Sequence, residues 1–92
     1  MTQKITNADI QKVVLKIIIN QNGRFSEYDI FESTLNIFED VESQVIEKIV
    51  SKTLDYCKRE IHLIDFVDGG FEINHDRKDV VCAFLNHEGI SI

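Results

Sequence analysis

The chain has 92 residues, 43% of them hydrophobic and 28% charged, with a formal net charge of −6 and no proline. That length makes one domain with a single core, and that balance excludes a disordered polyelectrolyte. No stretch approaches the roughly 18 apolar residues of a membrane span, and "MTQKITNADIQ" at the start lacks the apolar core of a signal peptide, so the expected setting is cytoplasmic, without membrane contact.

The charge is unevenly spread. Residues 1–25 carry +3, residues 26–60 carry −5 and residues 61–92 carry −4. A field of this sign repels phosphate, so any nucleic-acid contact has to come from a local basic patch.

The first predicted element is a helix. Ile10, Val13, Val14, Ile17 and Ile18 recur at the spacing of one buried helix face. Thr6, with Asp9 three residues on, supplies its start, and Gly23 its end. Lys12 and Lys16 lie one turn apart on its polar side. The stretch "GRFS" (23–26) is short and extended, suited to pairing with a later hairpin. Ser26 then caps a second helix with Asp29 in its first turn. Its inner face is Ile30, Phe31, Thr34 and Leu35, which leaves Glu27, Asp29 and Glu32 for solvent.

Asn36–Asp40 reads as a turn, with Asp40 as cap of a longer third helix to about Glu60. Ile46, Ile49, Val50, Thr53, Leu54 and Cys57 fall on one side of it at about 100° per residue. Gln44, Lys48, Ser51, Lys52, Asp55, Lys58 and Arg59 fall mostly on the other. Lys52 with Asp55, and Asp55 with Arg59, are helix neighbours able to pair.

A hairpin follows, Ile61–Val67 and Phe71–Asn74. Asp68-Gly69 or Gly69-Gly70 supplies the positive φ of a tight turn. A last helix runs from about Asp76 to His87, closed by Gly89, with an apolar stripe of Val80, Val81, Phe84 and Leu85. That stripe reads first as core. Its alternative is a homodimer interface, to which the tail "GISI" is apolar enough to add.

The expected fold class is therefore mainly α with a small antiparallel β-hairpin, one domain over residues 1–92. The order of helix, short strand, helix, turn, helix, hairpin and helix resembles the winged helix-turn-helix superfamily. The resemblance covers about residues 7–74, with an added C-terminal helix at about 76–88. It rests on element order, on "NGRFS" before the second helix and on "DGGFEI" as the wing's turn and returning strand. It implies that the third helix enters a DNA major groove and that the wing touches the backbone. By position the reading residues would then be Ser43, Gln44, Glu47, Lys48, Ser51 and Lys52, with Gln44, Lys48, Ser51 and Lys52 suited to bases or phosphate.

The charges argue against that role. Glu39, Asp40, Glu42 and Glu47 crowd the start of the third helix, and the second helix and the wing carry Glu27, Asp29, Glu32, Asp65, Asp68 and Glu72 without a base. Those six acids are the candidate contacts for a basic surface on another protein. The bland alternative is a solvated face. The expected function is a small non-enzymatic acidic regulator or inhibitor, with a DNA-binding transcription regulator as the alternative.

Metal and catalytic chemistry find little support. Cys57 and Cys82 are far apart and read as two reduced thiols, while His62, His75 and His87 have none of the close spacings of zinc ligands. No nucleophile elbow, phosphate loop or metalloprotease motif is present, so no cofactor is expected.

Overall fold

The computed structural model describes residues 5–87. The chain runs α1 (Asn7–Ile19), α2 (Glu27–Ile37), α3 (Ser43–Arg59), β1 (Ile64–Val67), β2 (Gly70–Ile73) and α4 (His75–His87). The fold is mainly helical with one small antiparallel hairpin, as the periodicities predict.

Two helices start in the same way. In α1 the Thr6 hydroxyl accepts from the Asp9 N–H, and the Asp9 carboxylate accepts from the Thr6 N–H. Ser26 and Asp29 repeat this reciprocal pair at α2. Each pair satisfies two backbone donors that a helix leaves open at its first turn. The hydrogen bonds from Thr6, its backbone N–H first, hold the Asp9 carboxyl below its ordinary value.

Later boundaries differ from the expectation. Helix α1 ends at Asn20, whose N–H reaches Lys16 O, three residues before Gly23. Helix α2 continues through Asn36 and Ile37, so the turn begins at Phe38. Asp40 therefore does not cap α3. Glu42 takes that place, with no side-chain hydrogen bond to the helix start. Helix α4 begins one residue early, after Asn74, whose side-chain oxygen accepts from the Asp76 N–H at 3.2 Å.

One hydrophobic cluster joins the helices to the hairpin. Ile10, Val14, Leu15, Ile18 and Ile19 of α1 meet Ile30 of α2 and Ile46, Val50, Leu54 and Cys57 of α3. Leu15 and Ile19 widen the buried face of α1 beyond the stripe expected, while Val13 and Ile17 are only half-buried. Thr34 and Thr53 are wholly buried, and their hydroxyls donate to the carbonyls of Ile30 (2.8 Å) and Ile49 (2.6 Å), one turn back. Burial pushes the Cys57 thiol up to about 12, so it stays protonated at neutral pH.

The hairpin is tighter than predicted. Ile64 pairs with Ile73, Asp65 with Glu72, Phe66 with Phe71 and Val67 with Gly70. Asp68 (φ 47) and Gly69 (φ 81) form the two-residue turn between them. Positive φ at both central residues matches the twist of the flanking strands. Phe25 adds a third, single-residue strand on the other side of β2. It exchanges both backbone hydrogen bonds with Phe71, at 2.9 and 2.7 Å, so "GRFS" does pair with the hairpin.

The junction after α3 fixes where the hairpin starts. His62 adopts a left-handed backbone (φ 52), which lets the Leu63 N–H return to Cys57 O at 2.8 Å. Asn74 N–H closes the far end of the hairpin on Leu63 O at 2.7 Å.

Candidate protein-binding surface

The hairpin has two unlike faces, because side chains alternate across a strand. On the inner face Phe25, Phe71 and Phe66 form a row. The first two rings stack at 5.8 Å, and the second pair meets edge-on at 5.5 Å. Burial falls along the row: Phe25 is buried, Phe71 half-buried, and Phe66 is 57% exposed. The Lys58 ammonium of α3 sits 5.3 Å from the centre of the Phe66 ring, within cation–π range.

The outer face carries the hairpin's acids. Asp65 and Glu72 are directly opposite each other, a pairing of like charges that costs stability. Arg24 lies against this face. Its guanidinium stands 3.7 Å from Asp68 and 3.8 Å from Glu72. Gly70 makes this approach possible. A Cβ built there would come within 2.8 Å of Arg24 Cγ and 3.2 Å of Phe25 O. The hairpin is thus acidic in sequence but carries a cation delivered from 44 residues upstream of its turn. No base of the hairpin's own sequence stands on this surface. The signal lay in the pairing of "GRFS", since the neighbour of a paired Phe25 must face the other side.

The six candidate acids do not form one patch. Asp29 is committed to the start of α2, and Asp68 and Glu72 to Arg24. Among the described residues Glu27, Glu32 and Asp65 are in no ion pair. Of these, Asp65 lies on the outer face of the hairpin. Glu27 lies on the inner side, lining a groove with Phe66 and Phe71.

The polar side of α3 is exposed as predicted, including Gln44, Lys48, Ser51 and Lys52. Asp55 and Arg59 form an ion pair at 2.9 Å, whereas Lys52 and Asp55 form none. Lys52 instead lines a groove against Asn7 and Gln11 of α1. Glu39, Asp40, Glu42 and Glu47 are exposed around the helix start.

Between α2 and α3 lies a groove of about 260 Å³, lined by Glu27, Tyr28, Phe31, Glu47 and Val50. Tyr28 is 60% exposed, and its ring centre is 6.3 Å from that of Phe31, tilted by 57°. A second groove, of about 200 Å³, shares Glu27 and runs on to Ser51, Leu54, Lys58, Phe66 and Phe71. Spacing along the sequence marks neither Tyr28 nor Phe66 as a surface residue, because only the crossing of α2 with α3 and the hairpin brings them beside carboxylates.

Helix α4 divides its apolar stripe. Val81 and Leu85 enter the core, while Val80 and Phe84 are 61% and 45% exposed. Gly89 and the "GISI" tail lie outside the described residues. Among the described residues no set of three or more His, Cys, Asp or Glu is arranged to hold a metal ion. No described helix is long and apolar enough to cross a membrane. No protein-family model matches the chain, and neither curated proteins nor solved structures yield a match to it.

Proposed function

We propose that this chain is a non-enzymatic regulator or inhibitor of winged-helix type that binds a basic surface of another protein. The observation that carries this reading is where the carboxylates stand. Glu39, Asp40, Glu42 and Glu47 are exposed around the start of α3, and Glu27 lines the groove between α2, α3 and the hairpin. In a winged-helix DNA reader these are the positions that approach phosphate, and carboxylates there repel it. A basic protein surface is attracted by the same charges, which raise association rate and reject acidic partners.

The partner is recovered from native host extract on the immobilised chain, and its association rate is measured against ionic strength. The expected result is a rate that falls with salt and falls further in Glu27→Lys and Asp65→Lys variants. A rate indifferent to both changes overturns the reading. The DNA alternative draws on the exposed Gln44, Lys48, Ser51 and Lys52. It predicts a duplex shift at low salt that weakens in a Lys48→Ala, Lys52→Ala variant, and it falls if the wild type shifts no duplex.

A further inference from the structure

Resting on that reading, we propose that the groove between α2 and α3 seats an arginine side chain of the partner protein. The floor is apolar, formed by half-buried Phe31 and buried Val50. It suits the methylene stem of a long basic side chain, which packs on apolar surface while its head stays polar. Tyr28 offers an exposed ring at the wall. Glu27 from α2 and Glu47 from α3 supply carboxylates from both helices, and among the described residues neither is in an ion pair. No cation lines this groove, unlike the outer face of the wing, where Arg24 already stands against Asp68 and Glu72.

Arginine fits this set better than lysine. Its planar guanidinium stacks on an aromatic face and forks onto carboxylates, whereas an ammonium is a compact, strongly hydrated point charge. The adjoining groove shares Glu27 but has a different character. Ser51 lines it beside Leu54, Phe66 and Phe71, Asp55 is engaged by Arg59, and Lys58 stands over the Phe66 ring. With those charges engaged it suits an uncharged side chain. The recognised feature is therefore an arginine with an uncharged neighbour.

The test uses the full chain, isotope-labelled, and three synthetic peptides on a neutral alanine–serine background. They carry a central Leu-Arg, Leu-Lys or Leu-citrulline pair, citrulline being the uncharged isostere of arginine. Titration by amide-resolved NMR is expected to move the signals of residues 27–31 and 47–50 with the arginine peptide. The citrulline peptide should bind about tenfold more weakly, the lysine peptide at an intermediate level. Glu27→Gln and Glu47→Gln should each weaken the arginine peptide by about threefold or more, with Asp79→Asn, on the exposed side of α4, unchanged. Each residue is exposed, and the amide spectrum of each variant reports directly that the fold is kept.

Equal binding of the citrulline peptide overturns the proposal, as does no binding up to about 5 mM. Shifts centred on Asp65 and Glu72 overturn it too, but leave an acidic partner-binding domain standing. A partner whose association ignores salt removes that broader reading instead.

Discussion

The outer face of the hairpin and the groove between α2 and α3 both present carboxylates, and they differ in what accompanies them. On the hairpin Arg24 stands against Asp68 and Glu72, over a glycine that leaves it room. In the groove Glu27 and Glu47 face a tyrosine ring and an apolar floor with no cation. Charge counted along the chain sets the hairpin above the groove, since its turn and strands hold three acids within eight residues while Glu27 and Glu47 lie 20 residues apart. Charge counted on the folded surface favours the groove. An ionic site is defined by which counter-charges the fold has already supplied.

The largest expected effect on this contrast comes from Phe25→Ala. The ring is buried and stacked on Phe71, and its loss should cost about 3–5 kcal/mol by chemical denaturation. It also loosens the strand that carries Arg24, so Asp68 and Glu72 should lose their cation while the groove keeps its shape. Next is Gly70→Ala, expected to cost about 1–3 kcal/mol, because the new methyl group meets the root of the Arg24 side chain and a backbone oxygen. Unchanged stability there would mean that Arg24 does not press on the hairpin.

Arg24→Gln should change stability by less than about 1 kcal/mol, since the ion pairs are long and half-exposed. Its sharper readout is partner association. If the hairpin is electrostatically silent because Arg24 covers it, the variant should associate faster with a basic partner at low salt. The smallest effect is at the start of α1, where Asp9 is fully exposed. The group titrates below its ordinary 3.8, so its contribution is complete above that value and is lost as pH falls through the lowered one. Thr6→Ala should return the Asp9 titration toward 3.8 by carboxyl-resolved NMR. That gives a measure of what hydrogen bonding alone does to a carboxylate without a built groove around it.

Much of the fold was legible because its signals are local. Thr6 with Asp9 and Ser26 with Asp29 announce helix starts three residues apart, and Asp68-Gly69 announces a tight turn. Asp40 misled because acids are common before a helix, and only the continuation of α2 to Ile37 moved the next start to Ser43. The four-residue stripe on α4 marks an apolar face without saying how much of it the core can cover, and packing takes only Val81 and Leu85. The groove was the least legible part. Glu47 was a DNA position by analogy and Tyr28 no position at all, because their juxtaposition is a product of helix crossing rather than of spacing.

The seating of α4 sets how the molecule breathes. Its buried side chains are Val81 and Leu85, and Arg77 adds a hydrogen bond to Ile61 O at 3.2 Å across the junction. Helices α1 to α3 hold most of the remaining buried residues among themselves. A helix that buries two side chains, with Cys82 half-buried beside them, opens at a lower free energy than the body it leaves. Amides of α4 should therefore exchange with solvent well before those of α1 and α3. Each opening uncovers the α1 and α3 surface beside Leu15 and Tyr56, which Phe84 and Leu85 otherwise border. The protein then carries two stabilities, one for its three-helix body and a smaller one for its last helix.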